Sequence, residues 1–225
     1  MCPERSDLPV SDRWRRDGDG DRYARERFGS ARARSRDPRL VARLLRRLPG
    51  GAQVRSVLDV PCGAGRLRDP ILEAGAPDTA DRLWFGADVS EEMLGAIPGR
   101  GGDRVRADAA ALPFPDDSFD LVVCCRLLHH LPEPSAREAV LRELVRVSRD
   151  LVVASYWDAA SYQAWRRRTR GPLRRRRGPE TRHAVPWTEL AAELEAAGAA
   201  PVGRAHSLRF VSQQAFFMAR KRRAT

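Results

Sequence analysis

The sequence predicts an α/β protein whose sheet is mostly parallel and covered by helices on both faces. Three observations support this. Short apolar runs alternate with helical patterns through most of the chain, the order that wraps helices around a parallel sheet. The runs are nearly continuous in aliphatic and β-branched residues, as strands buried on both faces require. The first run, VLDV at 57–60, leads into a glycine turn, PCGAGR at 61–66, and then into a helical pattern. Glycine lets the backbone turn sharply there and approach a ligand, because no Cβ stands in the way.

In chain order, residues 1–37 are polar and arginine-rich, are broken by DGDGD at 17–21, and are expected to form a mobile basic arm before a domain spanning 38–225. Asp37 as N-cap and Pro38 at the first helical position predict a helix over 38–48. Strands are expected at 54–60, 83–88, 103–107, 119–125 and 151–156, with helices at 65–74, 90–97 and 135–148 between them. Ser135 followed three residues later by Glu138 reads as a capping box. Residues 157–186 break the rhythm with an arginine-rich insertion, WRRRTRGPLRRRRGPETRHAVP over its later part. An amphipathic helix over 187–197, ended by Gly198, and strands at 201–207 and 213–220 bring the strand count to seven.

The 225 residues are enough for one sizeable core, and no 18-residue apolar stretch predicts a membrane span. The N-terminus lacks the apolar core of a signal peptide. Cys2, Cys62, Cys124 and Cys125 make no CxxC pair and no zinc spacing. Neighbours on a strand face opposite ways, so Cys124 and Cys125 are expected as free thiols, and the reading is a reduced cytoplasmic protein. The net charge of +11 is unevenly spread: residues 1–50 hold 14 basic and 8 acidic side chains, 51–150 hold 12 and 17, and 151–225 hold 15 and 5. An acidic middle therefore lies between basic flanks, which attract polyanions without specifying a fold.

The glycine turn narrows the ligand. A dinucleotide fingerprint needs G-x-G-x-x-G, but Gly63 and Gly65 are followed by Arg68 where the third glycine belongs. Asp88, ending the second strand in FGADVS, suits a ribose whichever nucleoside is bound. Asp108, after the third strand, can accept from an adenine amino group while the Ala109 N–H donates to a ring nitrogen. Asp59, Asp88 and Asp108 at three successive strand ends would repel a pyrophosphate. They suit a ligand with a cationic amine, a ribose and an adenine, which describes S-adenosylmethionine.

The segments DVPCGAG, GADVSEEML, DAAALPFPDDSFDLVV and LLHHLPEP, in that order across about 55–150, resemble the class I S-adenosylmethionine-dependent methyltransferases. The likeness is to the broad group that includes ubiquinone and menaquinone biosynthesis enzymes and many small-molecule O-methyltransferases. It implies a Rossmann-like three-layer α/β/α sandwich, with a seven-stranded mostly parallel sheet and an antiparallel last strand. It further implies that Asp59 and Gly63 lie by the methionine part, that Gly65 also belongs to the cofactor-binding set, that Asp88 holds the ribose, that Asp108 and Ala109 hold the adenine, and that Cys125 sits beside the ligand. Two departures stand out: Pro61 replaces the first glycine of the usual loop, and Ser148-Arg149-Asp150 replaces the usual proline-glycine-glycine turn before strand five.

Methyl transfer by direct displacement needs alignment of the acceptor and exclusion of water, with a general base where the acceptor is a hydroxyl or an acidic carbon. His130, and secondarily His129, are the candidate bases just beyond strand four; Tyr156 or Asp158 are weaker substitutes. The insertion at 157–186 stands where this fold builds its acceptor lid. Its arginines (166–168, 170 and 174–177), preceded by Trp157, Tyr162 and Trp165, read either as a lid for an anionic acceptor or as a solvated helix face. Trp14, Tyr23 and Phe28 are candidates for covering the cofactor. The leading expectation is a small-molecule O- or C-methyltransferase. An RNA methyltransferase is the rival that the basic flanks suggest; it is disfavoured because strand four ends in VVCCRLL, without an NPPY-type or Pro-Cys motif. A non-catalytic module that only binds the cofactor is the third reading.

Overall fold

A computed structural model describes residues 31–45, 54–73, 82–99, 103–170, 183–206 and 211–222. In chain order the elements are α1 (Ala31–Leu45), β1 (Ser56–Asp59), α2 (Arg68–Glu73), β2 (Leu83–Asp88), α3 (Glu91–Gly95), β3 (Asp103–Arg106) and β4 (Phe119–Cys124). A single 3₁₀ turn (Leu128–His130) follows, then α4 (Pro134–Val147), β5 (Ser148–Trp157), α5 (Tyr162–Arg170), α6 (Trp187–Ala196), β6 (Ala199–His206) and β7 (Gln214–Lys221). The sheet order is β3-β2-β1-β4-β5-β7-β6. Strands β1 to β5 pair in parallel, and β7 runs antiparallel to both β5 and β6. The expected Rossmann-like α/β architecture, with seven strands and an antiparallel last one, is the one observed.

Period-two alternation divides each central strand between two cores. Leu58, Val122, Cys124, Val152, Ala154 and Phe217 face a cluster roofed by α4 and α6. Val57, Leu121, Val123, Leu151, Val153 and Phe216 face one roofed by Leu40, Val41, Leu44 and Leu45 of α1 and Ile71 of α2. Burying such a side chain contributes roughly 1.5–3 kcal/mol, so both faces hold the sheet. Cys124 and Cys125 fall into opposite clusters as buried free thiols, as the alternation predicts.

Several boundaries differ from expectation. The helix predicted from residue 38 begins at Ala31 and encloses Pro38, so Asp37 is not its cap and the expected boundary at 37 falls inside a helix. Helix α4 starts at Pro134 with Glu133 as N-cap and no side-chain capping bond, so Ser135 and Glu138 form no capping box. Proline at the first position, whose missing N–H is not needed there, sets that end instead. The residues replacing the proline-glycine-glycine turn are themselves the start of β5, and Ser148 is at once the C-cap of α4 and the first strand residue. Gly198, at φ +87°, ends the α6 region as predicted. The arm over 1–30 and residues 171–182 of the insertion, with Trp14, Tyr23, Phe28 and Arg174–Arg177, lie outside the described residues. Among the described residues no helix is long and apolar enough to cross a membrane.

Candidate cofactor and methyl-transfer site

The strand order reverses between β1 and β4, and the crevice beyond the carboxyl ends of those strands is where open α/β sheets bind ligands. The glycine turn opens into it. The Val60–Pro61 peptide is cis, and Gly63 and Gly65 take φ of +54° and +73°, the left-handed region that glycine tolerates. At Gly65 a Cβ would meet Ile97 Cγ2 at 2.9 Å, so close packing as well as dihedral demands glycine. The turn is tied to the end of β2: Cys62 N–H donates to the Ala87 carbonyl at 2.9 Å and Gly63 N–H donates to Asp88 Oδ2 at 2.8 Å.

Asp59 ends β1 fully buried, and neither carboxylate oxygen has a hydrogen-bond partner. Burial pushes its pKa up to about 8; Arg66 pulls it down, Asp88 pushes it further up, and the Trp84 indole N–H pulls it down. An orphaned, buried acceptor is costly unless a ligand donor meets it, and a cofactor ammonium supplies such a donor. Asp88 is also buried. Its Oδ1 accepts from Ser90 N–H at 2.9 Å and its Oδ2 from Gly63, which leaves each oxygen a further acceptor direction for a ribose hydroxyl. Burial raises the Asp88 pKa, against the lowering effect of those N–H groups. Asp108 Oδ1 accepts from Ala110 N–H at 3.0 Å, an Asx turn that presents the buried Ala109 at the end of β3. The predicted cofactor residues are thus gathered at adjacent strand ends, and their donor and acceptor set fits S-adenosylmethionine.

Cys125 directly follows β4 and is 6% exposed, with Sγ 4.0 Å from both Arg66 Nη2 and Ser155 Oγ. Burial pushes its pKa up to about 12; Asp37 adds to the rise, Arg66 and Arg126 oppose it, and Asp59 adds to it. Burial thus disfavours the thiolate form that a nucleophilic cysteine needs.

The sequence reading missed the groups around Cys125. Asp37 is fully buried, and its Oδ2 accepts from Arg66 Nη2 at 3.0 Å and from Arg126 Nε at 2.6 Å. Helix α1 is thereby pinned to the glycine turn and to the exit of β4. Read locally, Asp37-Pro38 looks like a cap; no local signal announces partners 29 and 89 residues away. Trp84 and Gly86 were missed too. A Cβ on Gly86 would meet the Trp84 ring at 2.4 Å, so glycine there leaves room for the indole. A glycine two positions after a tryptophan on one strand was the available clue.

The two candidate bases differ in their settings. His129 is 1% exposed, and its ring stacks on Trp157 at 4.7 Å and 5°. His130 is only partly buried, with its ring 4.3 Å from that of His129. Arg137 holds the turn that carries them: it donates to the Leu131 and Pro132 carbonyls and pairs with Glu193 (2.6 Å) and Glu189 of α6. Tyr156 lies wholly inside the first core, where burial raises its pKa and Arg204 opposes the rise. Asp158 is buried in a turn, with Oδ1 accepting from Ala160 N–H at 2.9 Å. Beyond it, Ala159–Tyr162, Trp165 and Arg168 line an open groove of about 580 Å³. Tyr162 and Trp165 are half exposed there and stack at 5.6 Å.

Residues 57–150 match a family model described as a methyltransferase domain. The 27-O-demethylrifamycin SV methyltransferase of Amycolatopsis mediterranei is 36% identical over 119 residues, 49% of this chain and 40% of that protein. The tRNA (carboxymethyluridine(34)-5-O)-methyltransferase of Arabidopsis thaliana is 29% identical over 121 residues, 53% of this chain and 27% of that protein. The chain thus spans less than half the length of these relatives. Among solved structures, magnesium protoporphyrin IX methyltransferase from Synechocystis PCC 6803 with bound SAH superposes with a TM-score of 0.74. That match covers 95% of this chain and 98% of the other at 20% identity, a likeness of fold.

Proposed function

We propose that this protein, whose residues 57–150 match a methyltransferase-domain model, uses S-adenosylmethionine to transfer a methyl group to an oxygen or carbon of a small anionic molecule. The observation that carries this reading is the row of carboxylates at the ends of β1, β2 and β3, with the buried and unpartnered Asp59 nearest the point where the strand order reverses.

The cofactor, when bound, supplies an electrophilic methyl group on a sulfonium leaving group. In this reading Asp59 accepts from the ammonium, Asp88 from the ribose hydroxyls, and Asp108 with Ala109 engages the adenine edge. Gly63 and Gly65 let the chain pass close beside the ligand, and Cys125 fills the floor next to it. His130 takes the proton from a hydroxyl acceptor. His129, locked against Trp157, holds the ring of His130 in place. Aligning the acceptor and excluding water supply most of the remaining acceleration. An anionic acceptor is supported by Arg168 beside the stacked Tyr162 and Trp165 in the groove that follows β5. Arginine forks recognise carboxylate and phosphate, and the exposed rings offer a planar partner a surface to stack on.

An RNA acceptor is the second reading, favoured by the basic flanks and by the tRNA-modifying relative. Methyl-labelled cofactor, incubated with the protein and either a fractionated small-molecule extract or total RNA, tests both by mass spectrometry. Label in a low-molecular-weight anion is the expected result. Label confined to RNA overturns the small-molecule reading, and tight cofactor binding with no labelled product in either fraction overturns catalysis.

A further inference from the structure

Leu83, Tyr162, Trp165, Val202 and Val211 are the large apolar or aromatic side chains that stand exposed among the described residues, and three of them meet at one place. Tyr162 (49% exposed) and Trp165 (50%) lie on α5. Val211 (46%) belongs to the turn before β7, where its carbonyl accepts from Gln163 N–H at 3.2 Å. Spacings of three and four residues put Tyr162, Trp165, Arg166 and Thr169 on one face of the helix, with Arg168 on the rim beside Trp165. Arg166, Arg168 and Thr169 are exposed, and Thr169 returns its hydroxyl to the Trp165 carbonyl at 3.1 Å. The other side of the helix is fastened to the body: Ser161 is buried, Ala164 is partly buried, and Gln163 Oε1 accepts from Gln213 N–H at 3.1 Å. The patch is therefore held in place and turned outward. The helix sequence, YQAWRRRTR, has four arginines and no acid.

An exposed apolar patch rimmed by charge marks an interaction surface, and its chemistry narrows the partner. A second copy of this chain fits poorly, because a two-fold contact through this face would set arginines against arginines. Single-stranded nucleic acid would stack on the ring faces, but each ring already spends one face on the other (5.6 Å, 29°), and an exposed aliphatic Val211 adds nothing to base stacking. An anionic lipid surface uses every part. Tryptophan and tyrosine rings settle at the headgroup level with their polar tips in water, a valine enters the acyl boundary, and arginines meet lipid phosphates. We propose that α5, together with Val211, docks this protein peripherally on a membrane surface that carries anionic lipid. Helix α5 follows the carboxyl end of β5, on the edge of the sheet where the β1–β4 crevice opens, so docking brings the mouth of the crevice to the lipid. The docking surface stands independently of which acceptor is methylated.

Co-sedimentation of the full chain with lipid vesicles, without cofactor or acceptor, tests the assignment. The protein should bind vesicles of phosphatidylcholine mixed with phosphatidylglycerol, and far less those of phosphatidylcholine alone, and added salt should weaken the binding. Tyr162→Ser combined with Trp165→Ser, and separately Arg166→Gln combined with Arg168→Gln, should each lower partitioning by about tenfold. Tm should stay unchanged in both, because the substituted side chains are exposed. Trp165→Phe supplies a readout apart from affinity: it should still bind, yet lose most of the fluorescence quenching that brominated lipid causes in the wild-type protein. Absence of binding to the anionic vesicles overturns the proposal. Binding that survives both double variants, or quenching that survives Trp165→Phe, also overturns it, since docking then occurs elsewhere on the chain. Binding of single-stranded RNA that the same variants abolish, with no binding to vesicles, overturns it in favour of nucleic acid.

Discussion

Asp59 and Asp120 are carboxylates at opposite ends of the β1–β4 pair, and their surroundings are opposite. At the entry end, Asp120 Oδ2 accepts from Arg55 N–H (3.0 Å), Ser56 N–H (2.9 Å) and Ser56 Oγ (3.0 Å), and Arg149 pairs with Oδ1. Burial alone would raise its pKa, but the N–H groups of Ser56 and Arg55, the Ser56 hydroxyl and Arg149 outweigh it and hold it below the usual carboxylate range. At the exit end, Asp59 has no backbone or hydroxyl donor; the Arg66 charge and the nearby Trp84 indole N–H lower its pKa less than burial raises it, and it stands at about 8. The first carboxylate is saturated by donors of the fold, whereas neither oxygen of the second makes a well-formed hydrogen bond. That asymmetry is what makes Asp59, and not Asp120, the candidate binding group on this pair of strands.

The sharpest way to break the comparison is Asp88→Ala, which removes the acceptor of Gly63 and Ser90 along with the ribose contact. Binding of S-adenosylmethionine should fall below calorimetric detection, whereas Asp120→Ala should leave affinity within about twofold, since distant sites act independently. Normal cofactor binding by Asp88→Ala would mean that the ribose is placed wrongly. Next in size, His130→Gln should spare cofactor affinity and lower kcat by about 100-fold, within the usual range for a lost general base. An unchanged kcat, once the acceptor is known, would remove His130 from the chemistry.

A smaller effect is expected of Asp59→Asn. Cofactor affinity should drop by about 10- to 100-fold through loss of a charged partner, while thermal stability without ligand rises at pH 8, because the costly buried charge is gone. A variant that loses both affinity and stability would show that Asp59 is structural. Gly86→Ala forces a Cβ against the Trp84 ring and should cost about 1–3 kcal/mol, read as a lowered Tm.

The pH dependence is the subtlest test. The Asp120 pKa is lowered on folding, so its stabilisation is present above the unfolded carboxylate value and is lost as pH falls through its folded pKa. The Asp59 pKa is raised, so its contribution is fully present below the unfolded value of 3.8 and is lost as pH rises through about 8. Tm in the absence of cofactor should therefore decline on both sides of a mildly acidic maximum. Asp120→Asn should flatten the acid limb and Asp59→Asn the alkaline one; the reverse assignment of limbs would invert the comparison. Near pH 7, cofactor binding should also release protons as Asp59 ionises against the ammonium, seen as a buffer-dependent heat.

Much of the site was legible because its signals are local. A glycine turn between a strand and a helix is written in adjacent residues, and acids at strand ends follow from where each apolar run stops. The strand count and the positions of Asp59, Asp88 and Asp108 at or just beyond strand ends were legible in this way, while the antiparallel end came with the family resemblance. Asp37 shows the limit. Its neighbour Pro38 suggested a helix start, yet the helix begins at Ala31 and the side chain serves Arg66 and Arg126 instead. The capping box at Ser135 failed for a related reason: Pro134 had already fixed the first turn of α4.

By itself, then, the sequence determined the alternation of elements, the turn chemistry and the ligand class, because periodicity and dihedral preference act over a few residues. Only the tertiary structure decided that β1 lies between β2 and β4, which sets Asp59 at the point of reversal. Only it brought Asp37, Arg66, Arg126 and Cys125 into one volume and set a buried His129 apart from a partly exposed His130. Those choices depend on contacts between residues far apart in the chain, where burial and charge pairing outweigh local preference.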